Sequence, residues 1–146
     1  MKINKDIELL HPILRAVVRM TLDVYDDYQV IETLRSHERQ MSLYSSGSNT
    51  KVKVSKHEAN DQGLSEAVDI APKDNMWDES PDMLMRYAVM FGRMDSIFNL
   101  MKEWNTGVTI PDNCYLRWGR DWDRDGEYND QTFNDYPHVE LIYKDK

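Results

Sequence analysis

The 146-residue chain has a single cysteine, Cys114, so no internal disulfide can staple it. That thiol flanks an apolar, aromatic run, the setting of a buried side chain and not of a nucleophile, which demotes a Cys/His peptidase. Long apolar runs are also missing. No stretch approaches the roughly 18 to 20 residues that cross a bilayer, and the polar start MKINKDIELLHP lacks the apolar centre of a signal peptide. A soluble protein made in the cytosol is expected. Positive charge is scarce as well, with 18 Lys and Arg against 26 Asp and Glu and a net charge of −8. General binding to nucleic acid or to anionic membrane is thereby disfavoured, because both are polyanions that attract basic patches.

What is present points to an ordinary folded unit. The apolar share is 40%, with eight Tyr, four Trp and nine Met, too hydrophobic and aromatic for a disordered segment despite 30% charged residues. At this length folding buries roughly two-thirds of the unfolded surface, so residues 1–146 are expected to form one domain around one core. No repeat, low-complexity tract or linker interrupts it.

Periodicity gives the elements. Leu10, Leu14, Val17, Val18, Leu22 and Tyr25 recur at helical spacing after Pro12, which suits a helix's first turn. Tyr28 to Leu34 is β-rich and ends at Arg35, a short helical stretch spans about Ser36 to Tyr44, and SSGSNTK is a loop. EAVDIAP reads as a strand closed by Pro72. Ser80 and Pro81 open a long helix with Leu84, Tyr87, Ala88, Phe91, Met94, Phe98 and Met101 on one face, its five Met serving as core filler. CYLRWG and PHVELIY are two further strands. This order does not alternate regularly enough for a doubly wound parallel sheet, so an α+β fold is expected, with helices against a small, mainly antiparallel sheet whose one face offers a groove.

The four histidines have different settings. His11 and His37 read as solvated surface residues, whereas His57 lies just upstream of the strand containing Asp69, and His138 begins the final strand. Zinc favours imidazole and carboxylate ligands, three from the protein with one position open when the site is catalytic. Two His and one Asp meet that need. Asp135, three residues before His138 in an extended segment, stands where a general base reaches metal-bound water without being a ligand.

Ser55 to His57 as SxH, GLSEAVDI ending in Asp69 and Ile70, WGRDW and DYPHVEL together resemble the VanY-like and D-alanyl-D-alanine metallopeptidase family, and within it the phage L-alanyl-D-glutamate endopeptidases, endolysins that cut peptidoglycan stem peptides. HPIL, TLRSHERQMSLYSSG and QTFNDYPHVEL fit the same pattern, so the likeness runs from about His11 to Tyr143. It implies a hedgehog/D-Ala-D-Ala peptidase-like fold, zinc on His57, Asp69 and His138, and Asp135 as general acid/base. It also implies that Arg35 faces substrate or the developing oxyanion. Ser55 is assigned either to the site or to a turn, and Gln40 to structural support. The family's H-x-x-G-x-A-x-D form sets the first two ligands seven positions apart, whereas His57 and Asp69 are twelve apart, leaving Glu58, Asp61 and Glu66 as rival carboxylates. Asp69 is retained for its strand context.

The resemblance implies a lysis enzyme of a phage or prophage, monomeric, without a separate wall-binding domain, held in the host cytoplasm until release and then acting on the wall. A D,D-carboxypeptidase or dipeptidase with the same metal site is the alternative, with a non-catalytic zinc-binding module behind it. A second metal is considered for the acidic loop. Asp121, Asp123, Asp125 and Gly126 follow D-x-D-x-D-G, the opening of a calcium loop, with Glu127 at a further ligand offset, although Thr132 stands where an EF-hand has its bidentate Glu.

Overall fold

The computed structural model describes residues 2–46, 55–74, 77–104, 106–121, 124–125 and 135–144. A short 3-10 turn at Ile7–Leu9, which no periodicity signals, leads into helix α1, Pro12–Val24. Pro12 occupies the first turn as anticipated, and His11 is the N-cap, its Nδ1 accepting the Ile13 N–H at 3.1 Å. His11 is thus a capping residue and not merely a solvated one. Strand β1 (Tyr28–Glu32) and helix α2 (His37–Ser45, capped by Ser36) follow. Strand β2 (Ala67–Pro72), helix α3 (Pro81–Glu103, capped by Ser80), β3 (Cys114–Trp118) and β4 (His138–Tyr143) complete the order.

The four strands form one sheet in the order β1-β2-β4-β3, every pairing antiparallel. This is the α+β architecture expected from the pattern of elements. Side chains alternate across it. Val68 and Ile70 of β2, Leu116 and Trp118 of β3, and Val139 and Leu141 of β4 are buried in the core with Leu14, Val17 and Val18 of α1 and Tyr87, Met90, Met94 and Phe98 of α3. Phe91 stacks on Trp118, with ring centroids 5.9 Å apart. The core stripe of α3 includes Met83 and Met90, with Leu84, Ala88 and Phe91 at its flank, and four of the five Met fill the core while Met85 is 68% exposed. Cys114 is fully buried, as its apolar setting suggested. Among the described residues, no helix is long and apolar enough to cross a membrane.

The opposite parity of β2 and β4 carries Asp69, His138 and Glu140. Register makes the site: Asp69 pairs with His138 on one side, and with Glu32 across a β-bulge on the other.

Candidate metal centre

His57, Asp69 and His138 converge, each offering a ligand atom within 4.8 Å of the others. Asp69 sits on the interior strand β2, where its Oδ1 lies 3.1 Å from His57 Nε2 and 3.5 Å from His138 Nδ1. The two rings meet edge to face at 5.1 Å. Burial alone would favour the neutral acid, yet the two imidazoles hold the Asp69 carboxyl well below the ordinary range.

Each imidazole is fixed from behind. His57 Nδ1 donates to the carbonyl of Thr33 at 2.8 Å, and His138 Nε2 donates to Glu140 Oε1 at 2.7 Å. The nitrogens left over, Nε2 of His57 and Nδ1 of His138, are the ones that face Asp69. A metal-ligating histidine is ordinarily oriented in this way, with its second nitrogen tied to a carbonyl or carboxylate. Two imidazoles and a carboxylate with their free donor atoms turned inward fit a divalent metal of borderline softness. Glu140 is itself anchored, its Oε2 accepting from Arg117 at 2.9 Å with Lys56 Nζ 4.0 Å away. Burial lowers the charged form of His138, but Asp69 and Glu140 outweigh it and raise its pKa to about 10.

The long segment between the first two ligands does not disturb them. Asn60 closes it: the side-chain oxygen accepts from Gln62 and Leu64 N–H, and its N–H donates to the Leu64 carbonyl, with Gly63 at a φ of 79° completing the turn. Of the rival carboxylates, Glu58 accepts from His37 at 2.6 Å and from the Ser55 N–H, and Glu66 accepts from Asn60. Among the described residues, neither they nor Asp61 join the group. Ser55 serves its own turn: its Oγ accepts the His57 N–H at 3.1 Å.

Arg35 is buried beside Asp69. Its Nη2 lies 2.8 Å from Glu32 Oε1 and 3.5 Å from Asp69 Oδ2, and its Nη1 donates to Gln40 at 2.8 Å. Arg39 clamps Glu32 from the other side at 2.6 Å. Asp69 is therefore oriented by a guanidinium on one oxygen and two imidazoles on the other.

Asp135 stands next to the group without joining it, its Oδ2 3.9 Å from His138 Nδ1. Burial and the neighbouring Asp69 charge push its pKa up to about 6. Its position is set by a close backbone approach to Gly119, whose carbonyl accepts the Asp135 N–H at 2.7 Å and whose N–H donates to the His138 carbonyl at 2.8 Å. A β-carbon at 119 would overlap the Asp135 carbonyl oxygen, so only glycine allows this approach. Tyr136 packs edge-on against Tyr87 at 5.5 Å, and the Tyr87 hydroxyl is pushed up by burial, with the Asp135 and Asp69 charges adding to it.

Sequence reasoning missed Glu140, Thr33, Glu32 and Gly119. Glu140 had a usable signal, since residues two apart in a strand share a face with His138. Of the acidic loop, Asp121 and Asp125 are described, with the Asp125 N–H donating to Asp121 Oδ1 at 3.1 Å; Asp123, Gly126, Glu127 and Thr132 lie outside the described residues.

Comparison with known proteins gives a consistent answer. A family model described as phage L-alanyl-D-glutamate peptidase matches residues 2–142. Among solved structures, the Serratia marcescens L-Ala D-Glu endopeptidase ChiX is similar in fold, with a TM-score of 0.60 at 22% identity, covering 93% of this chain and 83% of that one. No curated protein matches. With nearly the whole length matched by the model, and a His-Asp-His group assembled on an α+β sheet, the chain belongs to the phage L-alanyl-D-glutamate peptidase family.

Proposed function

We propose that the chain is a zinc-dependent endopeptidase that hydrolyses the L-Ala–D-Glu bond of peptidoglycan stem peptides, as a phage or prophage lysis enzyme acting on the cell wall. The observation that carries this reading is the pair of imidazoles tied from behind by Thr33 and Glu140, their remaining nitrogens converging on Asp69 with Asp135 alongside. His57 Nε2, Asp69 and His138 Nδ1 would hold the metal. Zinc, when bound, supplies a Lewis acid that polarises the scissile carbonyl and brings the pKa of water near 7.

The chain's own groups do the rest. Asp135, with its pKa near 6, takes the proton of the attacking water and returns it to the leaving amine. Arg35 cannot swing freely, because Glu32 and Gln40 hold its guanidinium. It fixes the second oxygen of Asp69 and adds positive charge on the side where the oxyanion develops. His37, Glu58 and Ser55 stabilise the turn that presents His57.

Mass spectrometry of purified peptidoglycan after digestion tests the reading, since the new termini name the bond. New N-terminal D-Glu together with C-terminal L-Ala is expected. Release of free D-Ala instead would replace this activity with a D,D-carboxypeptidase, and chelator-resistant digestion would remove the metal.

A further inference from the structure

Arg120 follows Gly119 on the tight turn that also binds Asp135, and its side chain is only 8% exposed. Its guanidinium lies 5.0 Å over the ring of Tyr136, the residue after the acid/base. Among the described residues it has no ion pair and no hydrogen bond, and its Nε is a buried donor without a partner. Arg35 and Arg117 also have a buried Nε with no hydrogen bond among the described residues, but the guanidiniums of the other arginines near the site are ion-paired, Arg35 and Arg39 with Glu32 and Arg117 with Glu140. A buried cation facing one aromatic ring is only partly compensated, because a ring quadrupole replaces little of the lost hydration. A buried unpaired donor calls for an explanation.

Resting on the activity proposed above, we propose that Arg120 is a specificity-determining residue that binds the free carboxylate of the D-Glu residue of the stem peptide. The chemistry matches on both sides. A planar guanidinium suits bidentate contact with a carboxylate, and D-Glu linked onward through one carboxyl keeps the other as an anion next to the scissile bond. A protein of net charge −8 has no general attraction for such an anion, so recognition has to come from locally placed positive charge. Tyr136, the residue after Asp135, holds the Arg120 cation 5.0 Å from its ring, and Gly119, the residue before Arg120, accepts the Asp135 N–H, so the chain on both sides ties the cation to the acid/base.

The experiment compares two synthetic stem peptides, one with the D-Glu carboxylate free and one with it amidated, on the zinc-loaded full chain. Wild type is expected to cleave the free acid with kcat/KM about ten- to a hundredfold higher, the value of a charge-assisted contact. In Arg120→Gln this ratio falls to near one, and in Arg120→Lys it falls between the two. Equal cleavage of both peptides by wild type overturns the inference, as does an unchanged ratio in a folded Arg120→Gln. If that variant fails to fold, Arg120→Lys decides: an unchanged ratio in the folded Lys variant overturns the inference, and an intermediate ratio supports it. Cleavage at another bond overturns the activity and this inference together, whereas cleavage at L-Ala–D-Glu without carboxylate preference overturns this inference alone.

Discussion

Replacing Glu140 separates metal affinity from the chemistry of the reaction. Its Oε1 holds the His138 Nε2–H at 2.7 Å while Oε2 holds Arg117 at 2.9 Å, so one buried carboxylate fixes both the ring's orientation and which nitrogen is left to face Asp69. Glutamine keeps one acceptor oxygen. Its amide then turns donor towards either Arg117 or His138, and one of the two contacts is lost. Partners of this kind are worth about ten- to a hundredfold in metal affinity, or about 1.4 to 2.7 kcal/mol. Glu140→Gln is expected at the lower end and Glu140→Ala at the upper end, with the Tm of the metal-free protein falling in both because Arg117 loses its carboxylate. Competition with a fluorescent zinc chelator measures affinity, and far-UV circular dichroism shows that the fold is retained. Both variants binding zinc as tightly as wild type would refute the argument that the second nitrogen of His138 sets the first.

Asp135→Asn should keep zinc, measured by the same competition, while kcat falls by roughly two to four orders of magnitude, the usual cost of a lost acid/base. Gly119→Ala should lower kcat by about a hundredfold by pushing Asp135 aside, and lower stability by about 1 to 3 kcal/mol in urea melts, because the added methyl overlaps a backbone oxygen. Chelation should lower the Tm and abolish wall digestion, with both restored by zinc. Away from the site, burial raises the Asp95 carboxyl on α3, against weaker pulls from Arg124 and Lys102. A raised carboxyl favours the folded state when protonated, so that contribution is lost as pH rises through the shifted value. Asp95→Asn should therefore raise the Tm at pH 7 and lose its advantage below the ordinary aspartate range of about 3.9.

The legible parts of this protein are those written locally. Apolar spacing and the Pro12, Ser80 and Pro81 signals placed the helices within a residue or two, and His57 upstream of the strand holding Asp69, His138 at the start of the last strand and the family motifs around them together picked out the three residues that converge. The supports were not legible, because they come from register. Thr33 reaches His57 from 24 residues upstream through a backbone carbonyl that carries no residue identity, and Arg35 meets Asp69 only because β1 lies beside β2. Gly119 is defined by an approach of two loops, and Arg120 by the partners it lacks. Composition can show neither.

The turn closed by Asn60 has a consequence for how such a protein changes over generations. Because Asn60 and Leu64 close residues 61–63 into one short ring of hydrogen bonds, the length of that tip is decoupled from the positions of His57 and Asp69. Insertions there cost little beyond the entropy of a longer loop, which grows only logarithmically. The exposed tip at residues 61–63 can therefore be rebuilt while the His-Asp-His group is inherited intact, and a label spliced between Asp61 and Gly63 should travel with the protein without being felt by it.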